Sequence, residues 1–457
     1  MKDNLTIISI PVVRIARSAL SNLVLDTLIE KGDVVIISPW SDQIDFKKNF
    51  KRANTFFIKW NEPELSRFKR KIIDISEIIR LTGYWRKFKN EGMMWFLKHM
   101  NIEFGDNGED IKSGALKYII YSILSFLGMY RPLWKLVEKI VGKGWYQFPE
   151  LIDLTKQYNN VTIIQSANWG FQDRSLSRLS EENYWRKVLL TYTTDQLWCN
   201  GYLLNNYDAV CVQGDFEFNN AKNFHLIPDE SIYELGSAWF RHLEILKEKY
   251  EKIHQKSDDS RVVLYAGMGE QYFFRQSEYL ALDALIKYFD ERPEKIRLIY
   301  RPVSSSEDDK RYVRDRYANK IEIQWPDASV IGLNEYPKIN QEVTLLDYVG
   351  NLKDCELLIM SQNTTISMDA VFLEGCGVIS NMIDLDGRLK RRYYSITASA
   401  CPAPIEADNI DSLISAVEKF LDNPSKLKEA SLEMISRWDY PDTDFKAILS
   451  KAVFEEY

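Results

Sequence analysis

The stretch CELLIMSQNTTISMDAVFLEGCGVISN, residues 355–381, contains two short apolar runs separated by a hydroxyl-rich loop. The runs CELLIM (355–360) and GVIS (377–380) are apolar except at Glu356 and Ser380, which is typical of parallel strands buried on both faces. The segment between them is predicted to be a βα turn followed by a short helix. In open parallel sheets, ligands bind at the carboxyl ends of strands, where helix N-termini present unpaired N–H groups.

Polar side chains crowd the start of this predicted helix. Asn363, Thr364 and Thr365 follow Ser361, the residue at which the predicted strand gives way to the loop. Two explanations are open, because Asn and Thr are ordinary helix N-caps and the same groups can also donate hydrogen bonds to a phosphate. Asp369 lies one helical turn beyond Thr365 on the same face, where it either complements the helix dipole or binds a ligand.

Strand and helix patterns alternate in two separate series along the chain. The first begins at TIISIPVV (6–13), and the second begins at RVVLYAG (261–267). The length of 457 residues also exceeds what one core usually serves. We therefore predict an α/β protein with two Rossmann-like, doubly wound domains facing across a cleft. The predicted parts are an N-terminal Rossmann-like domain (1–245) with a helical insertion at about 60–150, a C-terminal Rossmann-like domain (258–430) and a C-terminal helix (431–457) that crosses back to the first domain.

Composition excludes several classes of protein. The net charge of −7 argues against general nucleic-acid binding. Five cysteines without CxxC spacing and four histidines without an HxxxH pair predict neither a disulfide framework nor a zinc site. The DLD triplet at 384–386 is interpreted as a loop coincidence, so we predict no metal and no cofactor. The N-terminus is unlike a signal peptide, and a reducing cytoplasm fits the cysteine usage.

Residues 66–143 differ from the rest of the chain in charge. They contain 15 Lys or Arg against 8 Asp or Glu. The apolar run YIIYSILSFLGMY (118–130) is too short to cross a bilayer, for which about 20 residues are needed. Two interpretations are open. These helices either lie on an anionic membrane surface, which would make the protein peripheral on the inner face of the cell membrane, or pack on the first domain with a solvated basic face.

Several segments of the chain resemble, in order, those of the GT-B glycosyltransferases, especially bacterial enzymes that build surface and capsular polysaccharides. The segments are NWGFQDRSLSR (168–178), ELGSAWF (234–240), LIYRPVSSSED (298–308) and LLIMSQNTTISMDAVFLEGCGVIS (357–380). The chain departs from the family pattern because no His follows Arg301 and because Ala238 stands where Pro is usual. The resemblance covers roughly residues 160–385.

The resemblance implies a nucleotide-sugar donor as substrate and a glycan or lipid-linked acceptor. It places the donor nucleotide and phosphates in the second domain, at Gly267, Gly269, Arg301, Ser361, Asn363, Thr364, Thr365 and Asp369. In the family an acidic residue at the position of Asp369 accepts hydrogen bonds from ribose hydroxyls. The resemblance gives the first domain the acceptor, with Trp169 as one binding residue. The positions of Arg14 and Arg17 after the first predicted strand suit an anionic acceptor, a helix-dipole role or a solvent-facing role, and Asp173, on the loop after VTIIQSA (161–167), is the candidate base.

The chemistry of the reaction explains why such residues are needed. A nucleotide sugar leaves its diphosphate behind when its anomeric carbon is attacked, and a helix N-terminus, hydroxyls and a cation can stabilise that leaving group without a metal. Thr364, Thr365 and Arg301 are predicted to do so. A metal-independent glycosyltransferase is the predicted function. A nucleotide-sugar 2-epimerase of the same architecture and a degenerate, non-catalytic nucleotide-binding protein are the alternatives.

Overall fold

The structure is a computed structural model of the chain, which forms two compact units. Unit 1 comprises Met1–Trp239 and Trp438–Tyr457, and unit 2 comprises Phe240–Arg437. The sequence places the corresponding boundaries at 245, 258 and 430. The structure describes residues 2–61, 64, 66–89, 102–104, 110–112, 115–141, 148–166, 170–193, 196–253, 261–267, 275–302, 307–325, 342–361, 363–385 and 403–455.

Unit 1 is built on a parallel sheet of seven strands. The strands of this sheet are β1 (Lys2–Ser9), β2 (Asp33–Ser38), β3 (Thr55–Lys59), β6 (Tyr158–Gln165), β7 (Arg186–Leu190), β8 (Ala209–Val212) and β9 (Ile232–Glu234). Their spatial order is β3-β2-β1-β6-β7-β8-β9. The short strands β4 (Ile102–Phe104) and β5 (Asp110–Lys112) form a separate antiparallel pair. The strand order therefore reverses beside β1, as in a Rossmann-like sheet.

Helices connect these strands. They are α1 (Val13–Ala19), α2 (Asn22–Ile29), α3 (Ile44–Phe50), α4 (Arg67–Lys87), α5 (Ala115–Gly128), α6 (Arg131–Val141), α7 (Pro149–Thr155), α8 (Gly170–Glu182), α9 (Gln196–Cys199) and α10 (Asp215–His225). Neighbouring residues of β1, such as Ile7 and Ile8, are both fully buried, so apolar groups cover both faces of the sheet. This explains why the strands are continuously apolar rather than alternating.

Helices α4, α5 and α6 lie between β3 and β6, within the range in which the sequence predicts a helical insertion. A buried arginine ties α4 to the rest of unit 1. The Arg80 side chain is fully buried and donates from Nη1 to the carbonyl oxygens of Asn200, at 2.8 Å, and Tyr202. Burial by itself would raise the pKa of Glu77, but ion pairs with Arg80 and Arg174 lower it to about 2. The charge of Arg80 is thus compensated inside the protein.

A buried histidine packs beside this contact. The His225 ring stacks on Tyr84 with centroids 5.3 Å apart, and its Nε2 lies 2.8 Å from the Leu197 carbonyl oxygen. Burial lowers the pKa of His225 to about 4, although the hydrogen bond to Leu197 opposes this shift. An unfolded histidine has a pKa near 6.5. The folded state therefore binds fewer protons than the unfolded state between pH 6.5 and 4.

The first prediction concerns acid sensitivity. Because the pKa of His225 is depressed in the folded state, its contribution to stability is present above pH 6.5 and is lost as pH falls toward 4, by at most about 3 kcal/mol. We expect His225→Gln, which cannot titrate, to flatten the fall in the free energy of unfolding between pH 7 and pH 5. Urea unfolding at several pH values measures this slope. A slope unchanged from the wild type would contradict the assignment.

The C-terminal segment packs on unit 1. Helix α18 (Phe445–Phe454) follows Asp444, whose side chain caps it by accepting from the Ala447 N–H at 3.1 Å. The carbonyl oxygen of Val453 accepts from Thr162 Oγ1 at 3.1 Å, on β6. The sequence predicts that this segment crosses back, and these contacts anchor it to the first sheet.

Unit 2 contains a second parallel sheet. Its six strands are β10 (Arg261–Ala266), β11 (Ile296–Arg301), β12 (Glu322–Ile323), β13 (Cys355–Ser361), β14 (Gly377–Asn381) and β15 (Ile405–Ala407). The order is β12-β11-β10-β13-β14-β15. The strand order again reverses, here between β10 and β13. Numbered by their position in the chain, the six strands follow the order 3-2-1-4-5-6 of a dinucleotide-binding fold.

The helices of unit 2 pack against this sheet around one core. They are α11 (Ala238–Ile253), which begins in unit 1, α12 (Arg275–Asp290), α13 (Glu307–Tyr317), α14 (Glu342–Lys353), α15 (Ile366–Glu374), α16 (Ile410–Asp422) and α17 (Pro424–Ser436). The core joins strand residues such as Tyr265 and Ile359 to helix residues such as Leu285 and Phe420. The predicted fold class, two doubly wound α/β domains, is confirmed.

Candidate functional site

The carboxyl edge of the unit 2 sheet brings three predicted site residues together. Ala266, the last residue of β10, pairs with Arg301 on one side and with Met360 on the other. Gly267, Arg301 and Ser361 therefore lie at the ends of three adjacent strands. The Gly267 N–H donates to the Arg301 carbonyl oxygen at 2.9 Å, which extends this pairing by one residue. In parallel sheets this edge, where the strand order reverses, is where ligands bind.

Arg301 is a cation without an acidic partner in the part of the chain that the structure describes. Its guanidinium lies over the ring of Tyr348, 5.3 Å from the ring centroid. Burial lowers the pKa of Arg301, and the neighbouring Tyr348 partly opposes this shift. A guanidinium nevertheless remains protonated near neutral pH. A desolvated positive charge at a strand end is therefore available to an anionic ligand.

Tyr348 connects Arg301 to Asp369. The Tyr348 hydroxyl donates to Asp369 Oδ2 at 2.6 Å, and Asp369 lies buried in the first turn of α15. The Tyr348 ring contacts the Arg301 guanidinium, and the Tyr348 hydroxyl binds the Asp369 carboxyl. Sequence reasoning missed Tyr348, because α14 was not predicted and no motif contains this residue. Only the packing of α14 against α15 brings it to the site.

Two residues of the hydroxyl-rich loop are engaged in the sheet. Ser361 Oγ lies 2.9 Å from the Tyr265 hydroxyl, which accepts from Asn381 Nδ2 at 2.8 Å. Asn363 is buried, and its Nδ2 donates to Glu406 Oε1 at 2.9 Å. Asn363 Oδ1 is buried without a hydrogen-bond partner among the described residues. These side chains hold the loop in place at the strand end.

The two threonines differ from each other. Thr364 is half-buried, and its hydroxyl lies 3.6 Å from the sulfur of Met360. Thr365 is the N-cap of α15 and is exposed, but its side chain makes no capping hydrogen bond. The capping explanation is therefore not supported at Thr365. Its hydroxyl and the N-terminus of α15 lie at the same sheet edge as Arg301, which leaves the phosphate explanation as a prediction.

A buried carboxyl explains the glycine at position 267. A Cβ added to Gly267 would overlap Oε1 of Glu278, which is itself buried and accepts a hydrogen bond from Tyr300. A side chain here would displace the Glu278 carboxyl, so packing favours glycine whether or not a phosphate approaches the backbone. Gly269, predicted as its partner in phosphate binding, lies outside the described residues.

The carboxyl edge of the unit 1 sheet holds a closed polar network. Asp173 is fully buried on α8, and its Oδ1 accepts from Ser9 Oγ at 2.6 Å. Gln165 Nε2 donates to the Asp173 carbonyl oxygen at 2.9 Å. Burial raises the pKa of Asp173 well above its ordinary value, against the lowering effect of Ser9 and Gln165. A raised pKa and an enclosed side chain both disfavour proton transfer from an acceptor, and Asp173 as the base stays a prediction.

The remaining predicted residues of unit 1 stay untested. Arg14 and Arg17 lie in α1, directly after β1, but their side chains are outside the described part of the chain. Trp169 also lies outside it. Their assignment to acceptor binding remains a prediction that rests on the resemblance.

Comparison with known proteins identifies the fold. No protein-family profile and no curated protein sequence matches the chain. Among solved structures, a protein assigned as a UDP-N-acetylglucosamine 2-epimerase from Listeria monocytogenes has a TM-score of 0.51 at 12% identity, over 98% of this chain and 94% of that one. UDP-GlcNAc 2-epimerase from Neisseria meningitidis has a TM-score of 0.49 at 10% identity, over 98% and 97%. MurG from Acinetobacter baumannii has a TM-score of 0.44 at 9% identity, over 96% of each chain.

The chain has a GT-B-like fold. The strand-order reversals of both units agree with this assignment, and so does the C-terminal helix that returns to unit 1. At this level of identity the comparison establishes the fold alone. Within the GT-B-like fold, the cluster of Arg301, Tyr348 and Asp369 is the candidate donor site.

Metal-ligand geometry is not evident in the described residues. No group of three or more His, Cys, Asp or Glu side chains there could hold a metal ion. Asp384 of the DLD triplet follows β14, whereas Asp386 lies outside the described residues. The prediction that nucleotide binds without a metal therefore stays a prediction.

The second prediction separates phosphate binding from capping. Replacing both Thr364 and Thr365 with Val keeps the volume and removes the hydroxyls, so each lost hydrogen bond to a phosphate should weaken nucleotide binding by roughly 1.5–3 kcal/mol. Because Thr365 makes no cap, the free energy of unfolding should fall by less than the approximately 1 kcal/mol of a lost cap. Calorimetry and chemical unfolding on the same variant measure both quantities. Intact affinity together with reduced stability would favour capping.

The third prediction tests Tyr348. Tyr348→Phe keeps the ring beneath Arg301 and removes the hydroxyl that holds Asp369. We expect nucleoside diphosphate to bind more weakly by roughly 1 kcal/mol and inorganic diphosphate to bind as before. Asp369→Asn should show the same selective loss. Tyr312→Phe, an exposed tyrosine of the same unit, is the control. An equal loss for both ligands would place the effect at the phosphates instead.

Proposed function

We propose that this protein is a metal-independent glycosyltransferase that moves a sugar from a nucleotide-sugar donor to a glycan or lipid-linked acceptor. The observation that supports it most strongly is the position of Arg301. Its guanidinium contacts a tyrosine ring and has no acidic partner among the described residues. Arg301 is the last residue of β11, which lies beside β10, the strand at which the sheet order reverses. A charge in such a place is suited to the diphosphate of a nucleotide.

The proposed reaction requires this charge most when the donor breaks. The acceptor hydroxyl oxygen forms a bond to the anomeric carbon, and the bond from that carbon to the terminal diphosphate oxygen breaks. Negative charge then develops on the departing nucleoside diphosphate, where Arg301 and the N-terminus of α15 stabilise it. The acceptor proton passes to a base in an inverting reaction or to the departing diphosphate in a retaining one.

Asp369 and Tyr348 provide the second half of donor recognition in this proposal. Asp369 is one turn into α15 and can accept from ribose hydroxyls while Tyr348 fixes its orientation. The diphosphate would lie at the start of the helix and the ribose one turn along it. This arrangement distinguishes a nucleotide from a simple phosphorylated ligand, because two separate groups must be satisfied.

A nucleotide-sugar 2-epimerase is the second candidate. The same donor site would serve it, and the Listeria protein with the TM-score of 0.51 carries that assignment. An epimerase also needs groups that take a proton from C2 of the sugar and return one to it. The burial of Asp173 counts equally against this role and against its role as the base of an inverting transferase. The transferase is the first proposal because a retaining transferase needs no such base and because the ordered sequence segments resemble those of glycosyltransferases.

The decisive experiment incubates the full chain with UDP-, GDP-, CDP- and CMP-sugars, with and without EDTA. A transferase releases nucleotide, faster when the acceptor is present, and EDTA has no effect. An epimerised sugar without nucleotide release would identify the second candidate. Binding without either product would identify a non-catalytic protein, and activity lost to EDTA would contradict metal independence.

The fourth prediction tests whether the charge of Arg301 binds the nucleotide. Arg301→Gln should weaken nucleoside diphosphate binding by about 1.5–3 kcal/mol, because a charge-assisted hydrogen bond is lost. Arg297→Gln is the matched control, since Arg297 lies on the same strand but is half-exposed and pairs with Glu322. Isothermal titration of both variants measures the difference. Equal affinities for the two variants would remove Arg301 from the donor site.

A further inference from the structure

Helix α5 carries an apolar face that the protein leaves exposed. Ile119, Ile120, Ile123, Phe126 and Leu127 are between 41% and 56% exposed. At about 100° per residue, these five side chains fall within about 120° of the helix circumference, so they form one continuous face. We call these five residues the α5 face. Nine of the nineteen large exposed hydrophobic side chains among the described residues lie between positions 68 and 136, so exposure is concentrated here.

The opposite side of α5 is firmly attached to unit 1. A Cβ at Gly83 of α4 would overlap the Gly128 backbone, so the two helices cross in direct backbone contact. Arg86 donates to the Ser122 carbonyl oxygen at 2.9 Å and to Ser125 Oγ at 2.7 Å. On this side α5 contributes Ser122, Ser125, Gly128 and Leu124, the last packed against a buried core cluster. The exposed side chains of α5 are large and apolar, which a surface helix that only covers a core does not require.

One cation borders the α5 face, and two more follow that cation closely in the sequence. The Arg86 guanidinium lies 5.8 Å from the centroid of the Phe126 ring and lines, with Ile119, Ile123 and Phe126, a groove of about 330 Å³. Lys87 and Lys89, at the end of α4, are exposed. The surrounding sequence, 66–143, has 15 basic against 8 acidic residues although the whole chain carries −7. Apolar side chains with a basic border complement a surface that is apolar inside and anionic outside.

The length of the helix excludes a transmembrane role for α5. Fourteen residues reach only about 21 Å, and the part of the chain that the structure describes contains no helix that could span a bilayer. Two copies of the chain joined through this face would place one basic region on another, which is unfavourable. An anionic lipid surface satisfies the apolar face and the basic border together.

We propose that the α5 face docks the protein on an anionic membrane, with α5 lying in the plane of the lipid headgroups and Arg86 at its border. This inference stands apart from the proposed donor site, because it involves none of the same residues. It also gives a lipid-linked acceptor a physical route to the enzyme.

The test is flotation of the full chain with vesicles of phosphatidylcholine alone or mixed with phosphatidylglycerol. Wild-type protein should float only with the anionic vesicles, and less at high salt, because exposed charges are screened over about 10 Å at 0.1 M. The affinity of the double variant Ile123→Asp/Phe126→Asp for these vesicles should be lower than that of the wild type by a factor of roughly ten or more. Ile44→Asp/Ile253→Asp, at two other highly exposed isoleucines, should bind like the wild type.

The remaining measurements keep the inference separate from folding and from nucleotide binding. The thermal unfolding and nucleoside diphosphate affinity of Ile123→Asp/Phe126→Asp should match those of the wild type. No flotation of the wild type, flotation indifferent to lipid charge or equal flotation of the two double variants would overturn the docking surface. Concentration-dependent self-association that this variant abolishes would overturn it in favour of a second copy. None of these outcomes alters the nucleotide assays, so the two proposals can fail independently.

Discussion

The parallel pairing of β10 with its two neighbours is the constraint on which the candidate site depends. Because Ala266 pairs with both Arg301 and Met360, three strand ends lie at the same edge. A slip of one residue would turn Arg301 to the other face of the sheet. The reversal of strand order beside β10 then leaves this edge open, because the connections on its two sides run in opposite directions.

The polar groups at the ends of the two sheets respond to burial in different ways. At the end of the first sheet, Asp173 accepts from Ser9 and is enclosed, so the cheaper response to burial is to bind a proton. At the end of the second sheet, Arg301 cannot lose its proton near neutral pH. It rests on an aromatic ring, which compensates a cation only in part. The first edge therefore holds an acid whose pKa burial raises, and the second holds a cation suited to an anion.

In the helical insertion, α5 is attached to unit 1 and also exposes large apolar residues. The contact of Gly83 with Gly128 lets α4 and α5 approach closely, and Arg86 binds Ser122 and Ser125 of α5. The five large apolar residues of the α5 face are exposed. The last helix, α18, is also placed by a directional contact. It is distant in sequence from β6 but accepts a hydrogen bond from Thr162 of that strand. In both cases a few directional contacts place a whole helix.

The sequence alone determined the fold class, because apolar runs such as 262–266 and 357–360 have the composition of doubly buried strands, whatever surrounds them. It also located the loop with Thr364, Thr365 and Asp369, since hydroxyls and an acid at a helix start are local signals. Helix α14 and the short strand β15 were missed, because their residues have no strong periodicity. Tertiary structure alone placed Tyr348 between Arg301 and Asp369 and enclosed Asp173. Both outcomes depend on which helices pack together, and a pattern of neighbouring residues does not encode contacts between distant ones.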